Sequence, residues 1–258
     1  MTMSPRGTPL NLGSVPADVT WLDSSASTND HLALSVPGSS PRLAVTWNQT
    51  AGRGRLRRTW LSPPGTSLAL SIDLGPLAVS RVSEPWLGAF PLLLGACFAE
   101  AVLTELGAPV SMKWPNDVMI AERKVAGILG EIPAENRIIL GIGINVWGVP
   151  AGIGHTSATS LGEHGLPDNN ALQTILVTFL KAFISRVEKA YDAPRTEDWD
   201  FVKRHLVTLG RTVRATLPGE SALTGVAEGL DSAGRLIITT SSGSHTVSAG
   251  DVEHLRCV

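Results

Sequence analysis

Cysteine is almost missing from the 258-residue sequence, and the two present, Cys97 and Cys257, are too few and too far apart for the framework of a disulfide-stapled secreted domain. They form no zinc-ligand spacing either, so no metal site is expected and a cytoplasmic, reducing setting is. Long apolar runs are missing too. The longest uncharged one, Pro85 to Ala99, is 15 residues and contains Pro91, short of the ~20 needed to cross a bilayer, so no membrane partner is expected. No apolar run follows a basic start at the N-terminus, which argues against a signal peptide. Repeats and low-complexity tracts are absent. So is any excess of one charge: 21 basic against 23 acidic residues leave a net charge of −2, which removes the global case for a nucleic-acid binder or an acidic regulator.

What is there is a 43% hydrophobic chain with mean hydropathy +0.14, enough to bury a core across one large and one small domain. Its charge is uneven. From His31 to Ile72 there is no Asp or Glu, while Arg42, Arg53, Arg55, Arg57 and Arg58 all lie in that stretch. An anion is expected near residues 53–58.

Residues 1–19, polar and dotted with Pro and Gly, are expected to form a flexible arm. Val19 to Leu22 reads as a strand feeding a short helix capped within Ser24 to Asn29, and Leu43 to Trp47 as a second strand. The Gly/Arg segment from Gln49 to Gly65 is long for a connection inside a compact domain, which marks it as functional; Ser67 to Ile72 resumes a strand. Trp86 to Leu106 has helical composition and ends at Gly107. Val110 to Trp114, Val118 to Ala121, Lys124 to Ile132 and Arg137 to Val146 are Val/Ile-rich with tight connections at Pro115-Asn116-Asp117 and Glu122-Arg123, a meander that makes the sheet largely antiparallel. Helical spacing returns over Ala171 to Tyr191 and Glu197 to Leu206. From Arg211, four or five short strands with turns at Pro218-Gly219, Asp231 to Gly234 and Ser241 to Gly243 predict a small barrel, with the boundary near Leu209-Gly210.

Several residues have the chemistry of a site. Glycines in Gly52-Arg53-Gly54-Arg55 let a backbone approach a ligand, and guanidiniums are forked donors matched to carboxylate or phosphate; a solvated basic loop is the bland alternative. Trp60 can stack on a planar group. Lys113 to Asp117 puts a cation and a tryptophan before a turn, Lys124 opens a strand, and Gly141-Ile142-Gly143-Ile144-Asn145 alternates so that one strand face lacks side chains and forms a slot. Gly141-x-Gly143 is no dinucleotide fingerprint, since Val146 stands at the third glycine, and Gly148 to Ser157 lacks the Gly-Lys-Ser/Thr ending of a phosphate loop.

Ser27-Thr28-Asn29, Gln49-x-Ala51-Gly52-Arg53-Gly54-Arg55, Lys113-Trp114-Pro115-Asn116-Asp117, Lys124-x-Ala126-Gly127-Ile128-Leu129 and Gly141-x-Gly143-Ile144-Asn145-Val146 occur in one order and spacing. Together they resemble the biotin protein ligases, over residues 20 to 258. The resemblance implies an α+β catalytic domain over 20–208, related to class II synthetases, with a mixed, largely antiparallel sheet and flanking helices, and an SH3-like β-barrel domain over 209–258. It implies ATP, Mg²⁺ and biotin as reactants, a biotinyl-5′-adenylate intermediate, and transfer to a lysine on the biotin carboxyl carrier domain of a biotin-dependent carboxylase. It further implies a monomer or weak dimer of the ligase-only form without DNA as partner, because the residues before the first strand leave no room for a DNA-binding module.

Carried over by matching position, Arg55, Lys124 and Asp117 would be catalytic. Ser27, Thr28, Asn29, Gln49, Gly52, Arg53, Gly54, Arg55, Lys124, Gly127 and Gly143 would bind biotin. Arg55, Trp60, Lys113, Asn116, Lys124 and Asn145 would hold ATP and the adenylate. A Gly/Arg loop over 50–60 that orders over the ligand would shield the mixed anhydride from water. The sequence departs from the family at Arg57, where a glycine is usual; if that position needs φ > 0, the loop is strained there or takes another path. Two competing readings are a lipoate or octanoate ligase, which needs a long apolar tunnel, and a non-catalytic phosphate or nucleic-acid binder.

Overall fold

The computed structural model describes residues 7–75, 89–134, 137–150, 157–189, 196–217, 222–248 and 251–254; Cys257 and the start of the expected helix at Trp86 lie outside them. The main sheet has seven strands: β1 (Asp18–Leu22), β2 (Arg42–Thr46), β5 (Ser67–Asp73), β6 (Val110–Lys113), β7 (Asp117–Ile120), β8 (Arg123–Ala134) and β9 (Arg137–Asn145), in the order β1-β2-β5-β9-β8-β7-β6. Only β1 and β2 run parallel, joined by the short crossover helix α1 (Thr28–Leu34). All other pairings are antiparallel, and β6 to β9 follow one another as the expected meander. The β7–β8 turn places Ala121 and Glu122 at φ 49° and 59°, left-handed values that match the right-handed twist of a hairpin.

The core lies between this sheet and two long helices, α2 (Phe90–Leu106) and α3 (Asn169–Lys189). Pro91 falls in the first turn of α2, where a missing N–H costs nothing, and Gly107, left-handed at φ 64°, ends it. Edge-to-face pairs Phe98–Phe179 (5.4 Å) and Phe90–Phe183 (6.4 Å) join the helices, and α4 (Thr196–His205) packs beside them. No helix among the described residues is long and apolar enough to cross a membrane.

The flexible arm expected over 1–19 is corrected over residues 7–17. Leu10, Leu12 and Val15 are buried in the core, Trp47 Nε1 donates to the Thr8 carbonyl at 2.9 Å, and Asn11 N donates to Gln173 Oε1 at 2.8 Å. Three well-spaced apolar residues anchor a segment whose Pro/Gly composition reads as loose.

After α4 the chain enters a five-stranded antiparallel sheet of β10 (Thr212–Thr216), β11 (Ala222–Leu230), β12 (Leu236–Thr240), β13 (Gly243–Val247) and β14 (Asp251–His254), ordered β13-β12-β11-β10-β14. Its apolar residues join the main core rather than forming a separate one. Trp114 is the keystone of the seam: its backbone N–H donates to Thr208 Oγ1 (2.9 Å) and its indole N–H to the Gly234 carbonyl (2.9 Å). Thr208 Oγ1 also lies 3.1 Å from His254 Nε2. Burial, with Lys113 and Arg211 nearby, pushes the His254 pKa down to about 4, so the ring is neutral.

Candidate active site

Strand periodicity builds the floor. Side chains alternate faces along a strand, so Gly141, Gly143 and Asn145 of β9 share one face while Ile142 and Ile144 enter the core. Register then assembles rows across the sheet: Ala69, Gly143, Gly127 and Asp117 on β5, β9, β8 and β7, and Ser71, Gly141 and Leu129 beside them. The glycine rows form the expected slot, and it is occupied by side chains of the protein. A Cβ at Gly141 would collide with the Asn29 amide, and one at Gly143 with the Trp60 indole.

Lys124 reaches this floor because β8 carries a bulge. Val118 pairs with Ala126 but Met119 with Lys124, so one extra residue turns Lys124 onto the face of Gly127. A Cβ at Gly127 would stand 3.0 Å from Lys124 Nζ. The ammonium lies 2.6 Å from Asp117 Oδ1 and 5.3 Å from the centre of the Trp60 ring.

The polar end comes from the start of α1. Ser27 caps the helix, accepting from Asp30 N at 3.4 Å. Backbone pairing of residues 25–26 with 48–51 brings Gln49 alongside, and Gln49 Oε1 accepts from Thr28 N at 2.9 Å. Ser71 Oγ lies 2.6 Å from both Thr28 Oγ1 and Asn29 Oδ1, and Asn29 Nδ2 donates to Glu131 Oε2 at 2.6 Å. The helix itself is fixed from behind: buried Arg137 donates to the Leu32 and Ala33 carbonyls at its C-terminus and to Asp73 (2.8 Å). Burial would raise the Asp73 pKa, but hydrogen bonds from Arg137 and Arg42 outweigh it and hold the carboxyl below the usual range.

The Gly/Arg segment is a small hairpin rather than a structureless loop, with β3 (Gly52–Arg53) pairing β4 (Thr59–Trp60) around a 3-10 turn at Arg55–Arg57. Gly52 is needed for close approach, since a Cβ there would lie 2.6 Å from the Trp60 carbonyl. The left-handed residue is Leu56, φ 53° and exposed, and not Arg57, so of the two alternatives for that position the loop takes the other path. Arg53 forks onto Asp30 (2.5 and 2.6 Å) and reaches Glu131 (3.1 Å). The hydrogen bond from Arg53 holds the Asp30 carboxyl below its ordinary pKa, and Asp30 and Glu131 raise that of Arg53.

Between floor and hairpin lies a cleft of about 380 Å³. Ser27, Thr28, Asn29, Gln49, Arg53, Gly54, Arg55, Trp60, Lys113, Asn116, Asp117, Lys124, Gly127 and Gly143 all line it, so cations from two distant segments do converge. Gly52 and Asn145 are not on its wall. Gly52 acts through hairpin packing, and buried Asn145 ties Thr159 O (3.1 Å) to the end of β9. Asn116 also clamps β8, its Nδ2 donating to the Ile128 carbonyl at 2.9 Å. Asn145 Oδ1, Ser67 Oγ and Trp60 Nε1, all on the floor side, have no hydrogen-bond partner among the described residues. Sequence reading missed Ser71, Asp30 and Glu131; the first lies two residues from Ala69 and Glu131 four from Gly127, so strand periodicity held a signal for both. Arg58, one of the arginines of the acid-free stretch near which an anion is expected, also lines the cleft.

The sequence profile of the Biotin/lipoate A/B protein ligase family matches residues 21–147, and that of the Biotin protein ligase C terminal domain matches residues 208–255. The chain is similar to the biotin–[acetyl-CoA-carboxylase] ligase of Mycobacterium tuberculosis, 34% identical over 90% of this chain and 87% of the relative. It is 33% identical to the bifunctional ligase/repressor BirA of Escherichia coli over 74% of this chain, and that match spans 59% of BirA. Among solved structures, biotin protein ligase from Aquifex aeolicus in complex with biotin and ATP superposes with a TM-score of 0.75 at 30% identity, covering 93% of this chain and 99% of that one. With that identity spread over nearly its whole length and both domains matched, the chain belongs to the biotin protein ligases of the biotin/lipoate A/B protein ligase family.

Proposed function

We propose that this protein attaches biotin to a lysine of an acceptor protein, using ATP and a biotinyl-5′-adenylate intermediate. The observation that carries the reading is the convergence of Arg55 and Lys124 on one cleft whose far end is polar. A carboxylate oxygen must attack an equally anionic α-phosphorus while pyrophosphate leaves. Cations fixed at that meeting point offset the repulsion and stabilise the charge of the transition state. The acceptor amine then attacks the carbonyl carbon, the bond to phosphate breaks, AMP leaves and the amine proton passes to water.

In this reading Ser27, Thr28 and Gln49 hydrogen-bond the ureido head of biotin, and Arg55 and Lys124 hold carboxylate and phosphate. Trp60, packed on Gly127 and Gly143, forms a wall beside the acyl chain and adenylate, with Lys113, Asn116 and Asp117 along the rim. Magnesium is expected with ATP, but the described residues include no cluster of three or more His, Cys, Asp or Glu; phosphate oxygens and water would supply most of its ligands, and no step is routed through it. The acceptor class is the carrier domain of a biotin-dependent carboxylase.

Incubation with labelled biotin and ATP should release pyrophosphate and leave a tightly held adenylate, with Lys124→Ala as control. Failure of biotin to support biotin-dependent exchange of pyrophosphate into ATP, alongside turnover of lipoate or octanoate, overturns the choice of acid.

A further inference from the structure

Glu131 lies on β8 outside the cleft wall, yet it holds two residues that line the cleft. Its Oε2 accepts from Asn29 Nδ2 at 2.6 Å, and its two oxygens accept from Arg53 Nη2 at 3.1 and 3.2 Å. Arg53 also forks onto Asp30, the chain neighbour of Asn29. Asn29, Asp30, Arg53 and Glu131 thus close a ring that joins the start of α1, the hairpin and the main sheet.

The two arms of Glu131 differ in weight. Arg53 and Glu131 have side chains 39% and 33% exposed, so that ion pair is screened by water and contributes little. Asn29 is buried, and its amide is pressed onto the sheet where a Cβ at Gly141 would collide with it. A buried amide left without a partner is costly. On one side its Nδ2 faces two acceptors, Glu131 Oε2 and, at 3.4 Å, the Leu129 carbonyl. On the other, its Oδ1 accepts from Ser71 Oγ at 2.6 Å. A carboxylate can only accept, so Glu131 fixes which end of the amide meets Ser71. Without it, only the long contact to Leu129 would oppose a turn of the amide. A turned amide would present N–H to Ser71, whose single proton would then go to Thr28 Oγ1, 2.6 Å away, and change what Thr28 offers to a ligand.

We propose that Glu131 is a positioning residue for recognition of the acid: through Asn29, Ser71 and Thr28 it sets the hydrogen-bond polarity at the polar end of the cleft. The inference rests on the ligase reading above, in which that end receives the ureido head of biotin. It assigns Glu131 to the affinity for biotin and its adenylate, and leaves the charge-neutralising chemistry to Arg55 and Lys124.

Glu131→Met keeps the length of the side chain but cannot replace the carboxylate, whereas Glu131→Gln can still accept from Asn29 and loses only the charge that pairs with Arg53. In biotin-dependent exchange of pyrophosphate into ATP, Glu131→Met should raise KM for biotin about tenfold or more, with kcat within about threefold, and release isolated adenylate faster by a similar factor. Glu131→Gln should restore KM to within about threefold of the unmodified protein. In an Arg53→Gln background, where the ion pair is already gone, Glu131→Met should still raise KM about tenfold, because the Asn29 arm is independent of it. An unchanged KM in folded Glu131→Met overturns the proposal. So does a loss in Glu131→Gln as large as in Glu131→Met, which would make the ion pair the cause, and so does a fall confined to kcat, which would place Glu131 in the chemistry. If Glu131→Met does not fold, Ser71→Ala, which cuts the same chain one step further on, decides by the same KM and kcat readings. Absence of exchange in the unmodified protein overturns the ligase reading itself, and this inference with it.

Discussion

Lys124 and Arg55 face one cleft but are held by different kinds of structure. Lys124 stands on β8, in the interior of a seven-stranded sheet, between ladders to β7 and β9. Arg55 stands on a hairpin with two residue pairs in its ladder, tethered by ion pairs of Arg53 whose side chains are a third or more exposed. The sheet-borne half cannot move without breaking the core, whereas the hairpin can lift at the cost of a few weak contacts. A ligase that must admit biotin and then keep water from a mixed anhydride needs both: a rigid floor to position charge and a lightly held cover.

Four measurements would break or sharpen that contrast. Lys124→Ala, on the rigid half, is expected to cut adenylate formation by about a hundredfold or more, an effect of ~3 kcal/mol on the activation free energy, while the melting temperature barely changes; a loss of only a few-fold would mean the hairpin carries the chemistry. Gly143→Val forces a branched side chain into the Trp60 indole, so it should lift the cover and raise the rate of adenylate loss by about tenfold, with circular dichroism unchanged. Normal retention in that variant would remove Trp60 as a wall of the cleft. Arg53→Gln loosens the tether alone: leakage of adenylate should rise a few-fold, with stability altered by no more than about 1 kcal/mol because the lost pairs are solvent-screened.

The smallest effect concerns the seam between domains. His254 is held neutral with its pKa down at about 4, below the ordinary value near 6.5, so the unfolded chain binds the proton first as pH falls. Its contribution is intact above pH about 6.5 and declines progressively to about pH 4. Thermal melts should show that acid-side loss, and His254→Gln should reduce its slope; an unchanged slope would put the acid sensitivity elsewhere, with buried His205 the next candidate.

Much of this was legible in the chain. The meander from Val110 to Val146 could be read because Val and Ile alternate between punctuating Pro-Asn-Asp and Glu-Arg turns, and those signals are local. The slot in Gly141-Ile142-Gly143 could be read because period two is a property of any strand. What fills the slot could not, since Asn29 and Trp60 arrive from more than 80 residues away. The arm was misread because composition describes solubility of a segment, whereas burial of Leu10, Leu12 and Val15 depends on an apolar surface presented by other elements. Whether Arg57 would be strained or the loop would take another path could not be read locally, and the left-handed residue proved to be Leu56, because the register of a tight turn depends on how its two strands meet.

The sequence alone determined which chemistries were available: an acid-free, arginine-rich stretch, a lysine at a strand start, and glycines where a ligand or ring needs a bare backbone. Which of them act together was decided by strand register, by the one-residue bulge that turns Lys124 onto the glycine floor, and by the indole of Trp114 that docks the small domain beside Arg55. Those are long-range facts, because a side chain's neighbours are set by the packing of distant segments and not by the residues next to it in the chain.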